Sequence, residues 1–151
     1  THMTESSTSI AAQQPFLPLL QMLSAAYQAF SFYDQRHLRT LGLTASQADV
    51  LFTLGNQPPM SFKDIGTNTL ITKGTLTGVV DRLEERGLVQ RQFSSEDRRS
   101  IRVALTETGR ALFEDTFPKH IAHLKQRFDR LDITQIEAIT LSLRQLKTAF
   151  E

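Results

Sequence analysis

The stretch Ile71-Thr72-Lys73-Gly74-Thr75-Leu76-Thr77-Gly78-Val79-Val80-Asp81-Arg82-Leu83-Glu84-Glu85-Arg86-Gly87-Leu88-Val89 decides the fold. Thr72 is a suitable N-cap, the apolar positions Leu76, Val79, Val80 and Leu83 fall on one helical face, and Gly87 ends the helix. The opposite face carries Lys73, Gly74, Thr77, Gly78 and Asp81, most of them small or able to hydrogen bond. Such a helix buries one side and leaves a slim polar side free. A slim outward face lets a helix enter a DNA major groove about 12 Å wide. Lys73 in the first turn can reach a phosphate or a guanine edge. Unpaired amides at the same positive helix end offer a further anion site.

Downstream, Leu88-Val89-Gln90-Arg91-Gln92-Phe93 alternates as a strand, Ser94-Ser95-Glu96-Asp97-Arg98-Arg99 reads as a polar turn, and Ser100 to Leu105 forms a second strand. This is a β-hairpin with a charged tip. Arg98 and Arg99 on a protruding turn suit a minor groove, where negative potential is focused, and Asp97 can fix the Arg99 guanidinium by a charge-assisted bond. An exposed arginine pair can also be a merely solvated turn; its place after the helix favours the functional reading.

Upstream, Phe16, Leu20, Leu23, Tyr27 and Phe30 recur at steps of four and three, predicting an amphipathic helix to about Leu41, stopped by Gly42. Thr44-Ala45-Ser46-Gln47 is a capping box for a second helix closed by Gly55. After Asn56-Gln57-Pro58-Pro59, Ser61 caps a short third helix with Asp64 at its positive end. The order helix, helix, short helix, turn, helix, hairpin is the winged helix-turn-helix plan. The expected fold is mainly α with a small β-hairpin wing, flanked by N- and C-terminal dimerisation helices.

The C-terminal part supports that flanking role. Thr106 caps a long helix bearing Leu112 or Phe113, Phe117, Ile121, Leu124, Phe128 and Leu131, with Pro118 inside it as an expected kink. Thr134-Gln135-Ile136-Glu137 reads as another capping box, followed by Ile136, Ile139, Leu143, Leu146 and Phe150. Together with Phe113, Phe117 and Phe128, this is more apolar surface than a small winged helix covers. Either the helices bundle within one chain or a second chain covers them. The homodimer reading places Phe16, Leu20, Leu23, Phe117, Ile121, Leu124, Leu143, Leu146 and Phe150 in the interface and, by its two-fold axis, predicts a pseudo-palindromic operator.

Composition narrows the function classes. At 151 residues the chain is one ordinary domain, with residues 1–14 read as a cloning scar (Thr1-His2-Met3) and a disordered arm, and 15–151 as the domain. Within it, 44–105 is the DNA-binding part, and 15–41 and 106–151 are the dimerisation helices. Lys plus Arg number 17 against 16 Asp plus Glu, so bulk charge names no partner and argues against indiscriminate DNA coating. Locally, Arg91, Arg98, Arg99 and Arg102 outnumber Glu96 and Asp97 by two. Zero Cys excludes disulfides, thiolate metal sites, thiol catalysis and cysteine redox sensing. There is no P-loop, GxSxG or dinucleotide fingerprint, so neither an enzyme nor a cofactor is expected. No apolar window is long enough to span a membrane and no signal peptide is legible, so a cytoplasmic location is expected.

The quoted recognition stretch, followed by Asp97-Arg98-Arg99-Ser100-Ile101-Arg102-Val103-Ala104-Leu105-Thr106-Glu107-Thr108-Gly109, resembles the MarR family of transcriptional regulators. The second segment carries that family's wing signature, D-x-R then V-x-L-T-x-x-G. The resemblance implies that Arg99 is the minor-groove arginine, that Asp97 orients it, and that Lys73, Gly74, Thr77, Gly78 and Arg82 lie on or beside the recognition surface. Thr72, Thr75 and Arg98 complete the expected DNA-binding set. Gly78 stands where many members carry a larger polar side chain. The resemblance further implies an obligate homodimer, a ligand-responsive repressor, and a small-molecule pocket between the dimerisation helices and the winged part. Tyr33, His37 and Arg39, with Arg36 as an alternative to Arg39, would form part of one wall; a surface histidine is the plainer account of His37. His120 and His123 stand three apart on a helix, but without a third ligand they read as a partly exposed pair and not as a metal site. A winged-helix module that binds protein instead of DNA is the rival function.

Overall fold

The computed structural model describes residues 5–93 and 100–151, so the segment read as the hairpin tip, with Asp97, Arg98 and Arg99, and residues 1–4, the first three of them read as a scar, lie outside the described residues. The elements run α1 Ser7–Ala12, α2 Leu17–Thr40, α3 Ala45–Leu54, β1 Met60–Ser61, α4 Phe62–Asn68, α5 Lys73–Glu85, β2 Val89–Phe93, β3 Ile101–Leu105, α6 Glu107–Phe128 and α7 Ile133–Ala149.

The expected caps set most helix boundaries. Thr44 Oγ1 accepts from the Gln47 amide at 3.1 Å, and Gln47 Oε1 accepts from the Thr44 amide at 3.3 Å, completing the capping box of α3. Ser61 Oγ accepts from the Asp64 amide at the start of α4. Gly42 and Gly87, at φ of 77° and 72°, take the left-handed turns after α2 and α5 that a side chain would strain. Thr72 occupies the N-cap of α5, but its hydroxyl donates to Thr75 Oγ1 at 3.1 Å and caps no backbone amide.

Three expectations need correction and a fourth, the wing, is extended. The Thr4 to Gln14 arm contains a helix, α1, because Ser6 Oγ accepts from the Ser9 amide and so caps the turn. The cap of α7 is Asp132, two residues before Thr134: its carboxylate accepts from the Gln135 amide at 2.8 Å, and Gln135 Oε1 accepts from the Asp132 amide at 2.9 Å. The expected hairpin strands pair as β2 and β3, and a third strand joins them. Met60 pairs with Val103 and Ser61 with Arg102, giving a three-stranded antiparallel sheet of order β1-β3-β2. Finally, Phe113 belongs to the chain's own core, where it packs with Leu38, Leu43, Ala48 and Leu51. Pro118 lies within α6, which runs as one helix from Glu107 to Phe128.

The larger buried cluster joins Val50 and Leu54 of α3, Ile65 of α4, Leu76, Val79, Val80 and Leu83 of α5, and Leu88, Val89 and Val103 of the wing. All four apolar positions read from the recognition stretch are therefore in the core, and burying each contributes about 1.5–3 kcal/mol. Gly109 locks α6 to this unit: a Cβ there would stand 1.9 Å from the Leu88 carbonyl oxygen. Thr106 next to it accepts from the Gly109 amide and donates to the Gly87 carbonyl. The terminal helices differ. Leu38 is the only buried residue of α2, and α7 buries none. No helix among the described residues is long and apolar enough to cross a membrane.

Candidate nucleic-acid interface

Helix α5 is anchored by its apolar face, which fixes what its other face offers. Thr72, Lys73, Gly74, Thr75, Thr77 and Arg82 are exposed and Gly78 is half-buried. A Cβ at Gly74 would meet nothing within 4 Å, and one at Gly78 would meet only Arg82 Nη1 at 3.8 Å. The small residues are therefore not demanded by the chain's own packing. They leave room on the outside, and Arg82 folds back beside that room.

The helix and the wing are held in one frame by charge. Arg91 of β2 donates to Asp81 at 2.5 Å and to Glu84 Oε1 at 2.6 Å, while its backbone amide donates to Glu84 Oε2. The hydrogen bond that Arg91 donates to Asp81 is the largest influence and holds the guanidinium still more firmly protonated than usual; burial, next in size, opposes it, and the charges of Glu84 and Asp81 add to the rise. Arg91 is thus neutralised within the chain, and the expected local surplus of positive charge around the wing loses one member. Asp81, read as part of the outward face, is occupied by the same pair. Arg86 adds a second brace, donating to the Gly42 carbonyl and to Gln47 Oε1, both at 3.0 Å.

Behind the interface, α2 and α6 meet through a polar cluster. His120 Nε2–H donates to Asp34 Oδ1 at 2.7 Å, and the Nδ1 atoms of His37 and His120 lie 2.9 Å apart, a contact in which one ring donates and the other accepts. His123 stacks on His37 at 4.0 Å and on Tyr33 at 4.6 Å, and the Tyr33 hydroxyl donates to the His123 carbonyl. Burial first, then the charges of His123 and His120, lower the pKa of His37, with Asp34 opposing.

The structure therefore brings Tyr33 and His37 together but leaves Arg39 apart, exposed in the last turn of α2. His37 is half-buried and His120 is 3% exposed, so neither the surface reading of His37 nor the partly exposed reading of His120 holds. No group of three potential metal ligands with suitable geometry occurs among the described residues.

A cavity of about 670 Å³ lies beside this cluster, lined by Tyr27, Phe30, Asp34, Asp49, Phe52 and His120, and reaching Thr72 and Thr75 of α5. Asp34 and Asp49 were not legible as site residues, since their meeting depends on how α2 packs on α3. A second groove, between α2 and α6, is lined by Arg36 and Arg127 among largely apolar neighbours. The expected interface residues Phe16, Leu20, Leu23, Phe117, Ile121, Leu143 and Phe150 are exposed, while Leu124 and Leu146 are half-buried.

Comparison with known proteins agrees with this architecture. The family model described as "MarR family" matches residues 43–101. The HTH-type transcriptional regulator MhqR of Bacillus subtilis is 32% identical over 130 residues, which is 86% of this chain and 90% of that protein. The structure of Bordetella bronchiseptica BpsR, whose DNA binding is regulated by 6-hydroxynicotinic acid, superposes with a TM-score of 0.79 at 31% identity, covering 89% of this chain and 96% of BpsR. The fold is also shared with Streptomyces coelicolor Sco3205, solved in complex with DNA, at a TM-score of 0.81 and 24% identity over 88% of this chain and 89% of that one. With a braced recognition helix, a wing sheet and relatives of matching length, the chain belongs to the MarR family of winged helix-turn-helix transcriptional regulators.

Proposed function

We propose that this protein is a ligand-responsive repressor that binds a pseudo-palindromic double-stranded operator as a homodimer. The observation that carries the reading is α5: its apolar face is buried while Lys73, Gly74, Thr75, Thr77 and Arg82 are presented outward. In this reading residues 44–105 contact DNA, Thr72 to Gly78 enter the major groove, and Arg98 and Arg99, oriented by Asp97, contact the minor groove. The helices over 15–41 and 106–151 pair with those of a second chain through Phe16, Leu20, Leu23, Phe117, Ile121, Leu124, Leu143, Leu146 and Phe150. A dimer that covers its operator when empty and leaves it when liganded represses.

The 670 Å³ cavity supplies the switch, and the ligand control of BpsR is consistent with one. Thr72 and Thr75 line the cavity and also begin the recognition helix. Asp49 Oδ2 accepts from the Leu70 amide at 3.2 Å and so ties α3 to the turn leading into α5. A ligand here touches the DNA-reading element directly and needs only to favour a different setting of that turn.

Selection of bound sites from random duplex DNA at two salt concentrations tests the reading. Two-fold symmetric sites, with affinity falling steeply as salt rises, are expected. No enrichment at either salt overturns it and leaves the protein-binding module.

A further inference from the structure

The cavity beside α5 has a definite charge character. Its lining includes Asp34 and Asp49 but no lysine or arginine, and its walls include Tyr27, Phe30 and Phe52. The two carboxylates are only partly committed. Asp34 accepts from His120 through Oδ1, and Asp49 accepts from the Leu70 amide through Oδ2. Each keeps one oxygen without a hydrogen-bond partner among the described residues. They also feel one another: burial raises the Asp49 pKa, the Leu70 amide opposes, and the charge of Asp34 adds to the rise.

Resting on the reading of this cavity as the effector site, we infer that its ligand is an aromatic organic cation, held between Asp34 and Asp49 against the rings of Tyr27, Phe30 and Phe52. Carboxylates satisfy the charge, and ring faces attract a cation through their quadrupole. An aromatic carboxylate is disfavoured by the same geometry, since it would add a third negative charge with no lysine or arginine in the lining to receive it, and His120 is already engaged by Asp34. The volume suits a molecule of two or three fused rings. A cation at the free Asp49 oxygen would also draw on the carboxylate that holds the Leu70 amide, which links ligand charge to the position of the recognition helix.

The test is calorimetric titration of the full chain, without DNA, with three probes of similar size: N-methylquinolinium, 1-naphthol and 1-naphthoate. The cation is expected to bind at least tenfold more tightly than the naphthol, with naphthoate weakest. Asp34→Asn and Asp49→Asn, which keep the shape and an acceptor oxygen, should each weaken cation binding tenfold or more while retaining cooperative thermal unfolding. Naphthoate binding as tightly as the cation, carboxamide variants that fold and bind the cation unchanged, or no binding of any probe would each overturn the inference. The probe ranking on the unmodified chain decides the matter even where a variant does not fold. Because no DNA is present, failure of operator selection would leave this result standing, and failure here would leave DNA binding standing.

Discussion

The winged unit and the terminal helices carry the same kind of sequence pattern and meet opposite fates. In the winged unit, Val50, Leu51, Ile65, Val80, Leu83 and Val103 are fully buried. Leu143 of α7 is 53% and Phe150, just past its end, 83% exposed, although the apolar spacing is as regular as that of α5. Periodicity therefore reports that a face is to be covered. It does not report which chain covers it. The winged unit buries its apolar positions within the chain, whereas α2, the C-terminal half of α6 and α7 leave most of theirs exposed, as the proposed dimer requires.

Disrupting each region should break different properties. The largest effect is expected from Leu143→Lys combined with Leu146→Lys, which should abolish dimerisation and cut operator affinity on the order of 100-fold by removing the second recognition helix. Light scattering and DNA titration measure the two losses, and the winged core should still unfold cooperatively. Leu51→Ala should do the reverse, costing about 2–5 kcal/mol of stability in urea denaturation with the subunit count unchanged. Arg99→Ala should touch neither the core nor the dimer and cost about 1–3 kcal/mol of operator binding in gel-shift titration.

The smallest effect sharpens the seam between the regions. His37, on α2 against α6, has its pKa lowered from the ordinary 6.5 by the fold, so the unfolded chain takes up this proton first. Its contribution is intact above 6.5 and declines as pH falls through the lowered value. Asp49 has its pKa raised from 3.8, so the folded chain binds that proton first and acid relieves its burial. Thermal unfolding should therefore show a stability loss just below 6.5 that His37→Gln removes. A loss of equal size in the variant would assign the effect elsewhere.

Local signals carried much of the fold. The α5 stripe, the Thr44 and Ser61 caps and the Gly87 stop are each set by residues within one or two turns, and each stands where its chemistry requires. What stayed hidden depends on distance along the chain. Met60-Ser61 is too short to show alternation and becomes a strand only because Val103 and Arg102 lie beside it. His37 and His120 are 83 positions apart, and neither has a neighbour in sequence that announces the other. Arg91 looked like a contributor to DNA attraction because its partners Asp81 and Glu84 lie across a turn on another element. At the start of α7, Asp132 and Thr134 each have a Gln or Glu three residues on, and the charged acceptor Asp132 with Gln135 takes the cap, leaving Thr134 inside the helix.

The central claim is that a second copy covers the apolar terminal helices and so brings two recognition helices to one DNA site. The most direct measurement is the mass, by light scattering, of the complex formed with a duplex recovered from site selection. Two chains per duplex on a two-fold symmetric site, falling apart as salt is raised, is the result expected. One chain bound at full affinity to a site without symmetry would contradict the account.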